Sequence, residues 1–122
     1  MQISVDEARG YFAHPSQQIG VTPETLPEDG VEYWADGDVC LIFHETAAGD
    51  VWMVHLAAKP EGMGHLVEPT QRVLAEFWAA KHPRRIVTWI DEHRRAAIAL
   101  AKKAGGVVDG QFPGTVMLGW SM

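Results

Sequence analysis

The chain has 122 residues, 47% of them hydrophobic and five of them tryptophan, enough to bury a core as a single domain without disulfide or metal staples. Its net charge of −6, from 16 acidic and 10 basic residues, repels nucleic acid and anionic lipid at long range and argues against both as partners. No apolar run approaches the roughly 18 to 20 residues of a membrane span. The N-terminus MQISVDEARG lacks a signal-peptide core, and the single Cys40 inside VCLIF reads as a buried thiol. The expectation is a cytoplasmic protein in a reducing compartment.

Ser4 followed by Glu7 has capping-box spacing and predicts a short helix over roughly residues 5–13. Pro15, Pro23 and Pro27 then punctuate residues 14–29, a loop of the length used for lids and binding segments. Three β-rich runs follow, VEYWA, VCLIFHE and VWMVHLAA, separated by DGD and TAAGD, and read as an antiparallel meander. The stretch KPEGMG, Lys59 to Gly64, links the third strand to a helix expected over residues 69–81, whose apolar face is Val73, Leu74, Phe77 and Trp78. His82 and Pro83 end it. RIVTWI predicts a buried strand lying parallel to the one before, because a helix connects them. A further helix is expected from about Glu92 with Asp91 as its N-cap and Ala97, Leu100, Ala101 and Ala104 as its buried stripe. Lys102 and Lys103 suit its last turn and Gly105 its left-handed C-cap. GVVDG and GTVMLGW close the chain as a hairpin. The fold class is therefore α+β: a mixed, mostly antiparallel sheet with helices on both faces and one parallel strand pair.

KPEGMG admits two readings. Amides freed at a strand-to-helix junction hold anions, and glycines let a ligand approach them; alternatively, Gly62 or Gly64 serves a tight turn that needs positive φ. Six histidines, at 14, 44, 55, 65, 82 and 93, fall in no zinc spacing, so no metal is expected. His55 enters the loop from the third strand and shares a strand face with Met53 and Ala57. It is either a core histidine or a general base, since imidazole titrates near neutral pH. His44 and Glu45 on the neighbouring strand are further candidates. Cys40 has nothing nearby to lower its pKa and is not expected to act as a nucleophile. The basic run Arg94, Arg95, Lys102 and Lys103 reads as a solvated face.

Together, KPEGMG after a strand and RRAAIALAKKAGG after the next strand resemble the GNAT N-acetyltransferase superfamily over roughly residues 31–120. The run from His55 to Gly64 is similar to compact members seen in bacteriophages. On this resemblance residues 31–122 are the family core and 1–30 a variable N-terminal helix and loop, one short helix standing where most members have a strand and two helices. Lys59, Gly62 and Gly64 match the family's Q/R-x-x-G-x-G/A loop, which holds the pyrophosphate of acetyl-CoA. The resemblance implies that Ala57, Lys59, Gly62, Met63, Gly64 and Arg94 contact acetyl-CoA or a related acyl-CoA. The acceptor implied is an amine of unspecified identity, and if transfer occurs His55, by its titration range and its strand position ahead of the loop, is the expected catalytic base. Arg94, Ala97, Leu100, Ala101, Lys103, Gly105 and Gly106 occupy the second motif, N-x-x-A-x-x-L-Y-x-K-x-G-F, with three departures: Arg94 for asparagine, Gly106 for phenylalanine, and Ala101 for the tyrosine that protonates the departing thiolate. The expected partners are acetyl-CoA and the amine, with a homodimer compatible. The alternative is a GNAT-fold accessory protein, phage or prophage encoded, that has lost transfer.

Overall fold

The computed structural model describes residues 1–13, 23–46 and 49–121. Ser4 opens the first helix through a reciprocal cap: its hydroxyl accepts from the Glu7 N–H at 3.2 Å, and the Glu7 carboxylate accepts from the Ser4 N–H at 3.2 Å. Helix α1 runs over Val5–Ala8 and then tightens into a 3₁₀ turn over Arg9–Phe12, where Gly10 weakens the α-helical propensity of the expected 5–13 helix. A two-residue strand, β1 (Gln2–Ile3), precedes it and pairs with Trp34 and Tyr33. The sequence had shown no strand there. Of the loop expected over 14–29, residues 14–22 lie outside the described residues. The remainder holds a 3₁₀ turn, Pro23–Thr25, and the buried Leu26.

The meander forms as expected: β2 (Val31–Asp36), β3 (Val39–Glu45) and β4 (Val51–Ala58) pair antiparallel, with Tyr33, Ile42 and His55 side by side across it. Then come α2 (Val67–Lys81), β5 (Arg85–Asp91), α3 (Arg95–Lys103), β6 (Val107–Phe112) and β7 (Thr115–Trp120). The strands are ordered β1-β2-β3-β4-β5-β7-β6, and among them β4 and β5 run parallel.

Each face of the sheet carries its own core. Helix α2 lays Val73, Leu74 and Phe77 against Trp34, Leu41, Phe43, Trp52 and Val54. Phe77 stacks on Phe43 with ring centroids 3.7 Å apart and meets Trp34 and Trp52 edge-on at 5.6 and 5.2 Å, the edge-on pairs having the geometry that aromatic quadrupoles favour. On the opposite face Ala8, Phe12 and Leu26 cover Tyr33, Cys40, Ile42 and Ala57. Helix α3 packs on the α2 side of the sheet, Ala101 against Val116 and Leu118. It ends in a Schellman motif: Gly105 N–H donates to Lys102 C=O, Gly106 N–H to Ala101 C=O, and Gly105 takes a φ of 104°.

Two helix starts differ from expectation. Helix α2 begins at Val67, two residues before Pro69; proline is tolerated there because first-turn N–H groups have no intrahelical acceptor anyway. Helix α3 begins at Arg95 rather than about Glu92. Asp91 is drawn into β5 by pairing with Thr115, and its carboxylate and carbonyl instead take the N–H groups of His93 and Arg94, both at 2.9 Å.

Candidate active site

Strands β4 and β5 pair over three rungs only, Val51–Arg85, Trp52–Ile86 and Met53–Val87, and then part. At the point of separation the buried Thr88 hydroxyl donates to the Val54 carbonyl at 2.8 Å, replacing the next rung of the ladder. The Val54 carbonyl therefore faces β5. Alternation along the strand aims the Leu56 N–H and C=O the same way, into the gap. A cavity of about 100 Å³ lies over this gap, roofed by Thr70 and Leu74 of α2 and by Ala97, Leu100 and Ala101 of α3. His55 and Trp89 border it too. Their strand positions put both side chains on the far face of the sheet, so the gap connects the two faces.

The chain enters α2, whose first-turn Thr70 lines the cavity, through KPEGMG. Pro60–Gly62 form a 3₁₀ turn in which Gly62 N–H donates to Lys59 C=O at 3.0 Å and Met63 N–H to Pro60 C=O at 3.2 Å. Those two amides are therefore engaged within the loop. The N–H groups of Gly64, Leu66, Val67 and Glu68 have no acceptor among the described residues, and Pro69 has none to offer, so free donors gather from Gly64 into the first turn of α2. Both glycines have backbone reasons to be there: Gly64 takes a φ of 91°, and a Cβ on Gly62 would stand 2.5 Å from that of Asp38. Arg72 holds this end of α2 to the sheet with a two-pronged bond to Asp36 at 2.9 and 3.2 Å. That bond holds the Asp36 carboxyl below its ordinary range.

The other expected site residues are distributed as follows. Lys59 turns its ammonium over the Tyr11 ring, 4.7 Å from the centroid, and so faces away from the cavity. Ala57 is fully buried and its side chain belongs to the core under α1. Arg94 caps α3, lines the cavity and makes no ion pair among the described residues. His55 lies beside His44, ring centroids 5.2 Å apart, and burial followed by the neighbouring His44 lowers its pKa. His44 is lowered by burial as well. Cys40 is fully buried, and burial pushes its thiol up to about 12, which removes the thiolate that nucleophilic attack requires.

Leu56, Thr70 and Thr88 line the cavity without carrying a role in the sequence reading. For the two threonines a signal existed. Thr70 falls on the helical stripe with Val73, Leu74 and Phe77, and Thr88 interrupts the apolar run RIVTWI; a lone hydroxyl at a position whose period demands burial is a departure that calls for a partner.

No family model matches the chain, and no curated protein does. Solved structures do. An acetyltransferase of the GNAT family from Bacillus anthracis is 14% identical with a TM-score of 0.60, the match covering 69% of this chain and 58% of that one. Campylobacter jejuni N-acetyltransferase PseH, in complex with acetyl coenzyme A, is 12% identical with a TM-score of 0.60 over 77% of this chain and 70% of its own. The GNAT domain of S. lividans PAT is 15% identical with a TM-score of 0.75, covering 100% of this chain and 89% of that domain. At such identities the shared property is the fold, and with its seven-stranded sheet splayed between β4 and β5 the chain has the GNAT N-acetyltransferase fold.

Proposed function

We infer that the protein is an acyl-CoA-dependent N-acyltransferase acting in the cytoplasm, with acetyl-CoA as donor and an amine as acceptor. The observation that carries this reading is the parted β4–β5 pair, which leaves the Leu56 peptide groups facing a cavity lined also by Thr70, in the first turn of the helix whose N-terminal amides are free. About 100 Å³ is room for roughly three waters, too little for a nucleotide and enough for only a slender uncharged part of the donor. The nucleotide end of the donor would then lie outside, its pyrophosphate against the amides of Gly64 to Glu68 and its charge met by Arg94, as helix N-termini and guanidinium groups favour.

In this mechanism His55 removes a proton from the ammonium acceptor on the far face of the sheet. Burial favours its neutral, proton-accepting form. The amine lone pair forms the C–N bond at the thioester carbon, and the Leu56 N–H steadies the oxyanion. Collapse breaks the C–S bond and releases the CoA thiolate; the new amide nitrogen sheds its remaining proton to solvent, and solvent protonates the thiolate because Ala101 has no acid to give.

Ala101 also supports a second reading: with no proton donor at that position, the fold serves as an acyl-CoA-binding accessory protein, phage or prophage encoded, that has lost transfer. Calorimetric titration with acetyl-CoA and with desacetyl CoA tests both. Saturable binding of either is expected, and release of free thiol with an amine present separates enzyme from binder. No saturable heat at millimolar ligand would overturn both readings.

A further inference from the structure

Buried polar side chains keep hydrogen-bond partners in nearly every folded protein. Among the described residues three buried side-chain atoms have none: His44 Nε2, Thr70 Oγ1 and Arg85 Nε. Arg85 is satisfied in charge by its ion pair with Asp109, and His44 lies against the ring of His55. Thr70 has no such compensation. It is 4% exposed, it sits in the first turn of a 15-residue helix, and it lines the cavity over the β4–β5 gap. A helical threonine usually bonds back to the carbonyl one turn earlier. Here the Leu66 carbonyl accepts the Thr70 N–H at 3.1 Å, and the hydroxyl is left over. The cavity it lines is largely apolar, with Leu41, Leu56, Leu74 and Leu100 among its walls, and no side chain there takes its hydroxyl. Across the same cavity Thr88 shows the contrasting case, its hydroxyl spent on the Val54 carbonyl.

Valine would fill the Thr70 position with the same shape and no orphaned group. A local rule broken without compensation in the free protein marks a position kept for a ligand. We propose that Thr70 is a ligand-binding residue whose hydroxyl hydrogen-bonds an amide of the pantetheine arm of the acyl-CoA. The proposal rests on the acyl-CoA reading of this site. The arm, and not the phosphates, is the partner because a phosphate at Thr70 would exchange its hydration for one neutral hydroxyl in a largely apolar wall. The free amides from Gly64 to Glu68 and the Arg94 guanidinium can meet its charge instead. An amide is neutral, fits a narrow apolar channel, and can accept from the hydroxyl or donate to it.

The test uses the wild type, Thr70→Val and Thr70→Ser, each titrated with CoA and with 3′-phosphoadenosine 5′-diphosphate, the nucleotide without its arm. Thr70→Val is expected to weaken CoA roughly 3- to 10-fold while leaving the nucleotide unchanged, and Thr70→Ser to stay within about twofold of wild type for both. Free Thr70→Val protein is expected to melt at the same temperature as wild type or higher, since nothing in the folded chain loses a bond. Equal CoA affinity in Thr70→Val, an equal loss for both ligands, or a lower melting temperature of the free variant would each overturn the proposal. A wild type that binds neither ligand would sink the acyl-CoA reading and this assignment with it; a wild type that binds CoA, with Thr70→Val unaffected, sinks the assignment alone.

Discussion

Thr88→Val should destabilise the protein, although valine has the shape of threonine and opens no cavity. The Thr88 hydroxyl is the donor that satisfies the Val54 carbonyl where the parallel ladder stops. Thr88 is 7% exposed and Val54 4%, so the acceptor left behind has little access to bulk water. Orphaning a buried group of this kind costs about 1 to 3 kcal/mol. Unfolding entropy of about 2.1 cal/mol/K per residue, taken over 122 residues, gives about 0.26 kcal/mol per degree. The melting temperature should therefore fall by about 4 to 12 °C. Scanning calorimetry measures this directly, and urea melts with an unchanged slope would confirm that stability alone has moved. Thr88→Ser keeps the donor and should lose less. If Thr88→Val melts within about a degree of wild type, below the smallest shift worked out above, then water in the gap replaces the hydroxyl and Thr88 does not set the point at which the strands part. The two threonines of one cavity thus predict unlike responses to the same substitution, because one hydroxyl is bonded and the other is not.

Phe77→Ala removes the ring that stacks on Phe43 and meets Trp34 and Trp52 edge-on and should cost about 3 to 5 kcal/mol in urea unfolding; a loss under about 1 kcal/mol would mean that this cluster repacks freely. His55 contributes a pH dependence of known sign. Its folded pKa is lowered by burial and by His44, so the unfolded chain binds the proton more readily, and stability should hold above about pH 6.5 and decline as the pH falls through the folded value. His55→Gln should flatten that decline and, if His55 is the base, lower turnover by roughly 10²-fold or more with CoA affinity kept; an unaltered pH–stability curve would show that His55 is not the titrating group. Ala101→Tyr places a phenol in the cavity wall and should raise the rate of thiol release if thiolate protonation limits transfer. An ordered tyrosine with no gain would show that it does not.

The alternations and periods that made the meander, α2, the parallel strand and the closing hairpin legible are local, and local pattern survives in a packed sheet because burial selects for it. What the chain hid was set by distant pairing. Two residues at the N-terminus became a strand because β2 offered Tyr33 and Trp34 as partners, and Asp91 became strand instead of cap because Thr115 pairs with it. The loop KPEGMG was legible as a strand-to-helix junction with two glycines, but not the use of its amides. The 3₁₀ turn engages those of Gly62 and Met63 and moves the free donors towards the helix.

Residues 70 and 88 show where the limit falls. In the sequence each is a hydroxyl at a position whose neighbours demand burial, and the two are indistinguishable. What separates them is a carbonyl 34 residues away from Thr88, in a strand that happens to part from its neighbour at that rung. A buried threonine is thus a structural tie or a vacant contact according to the register of another strand. Only the folded arrangement assigns Thr88 to the scaffold and leaves Thr70 for something the chain does not itself contain.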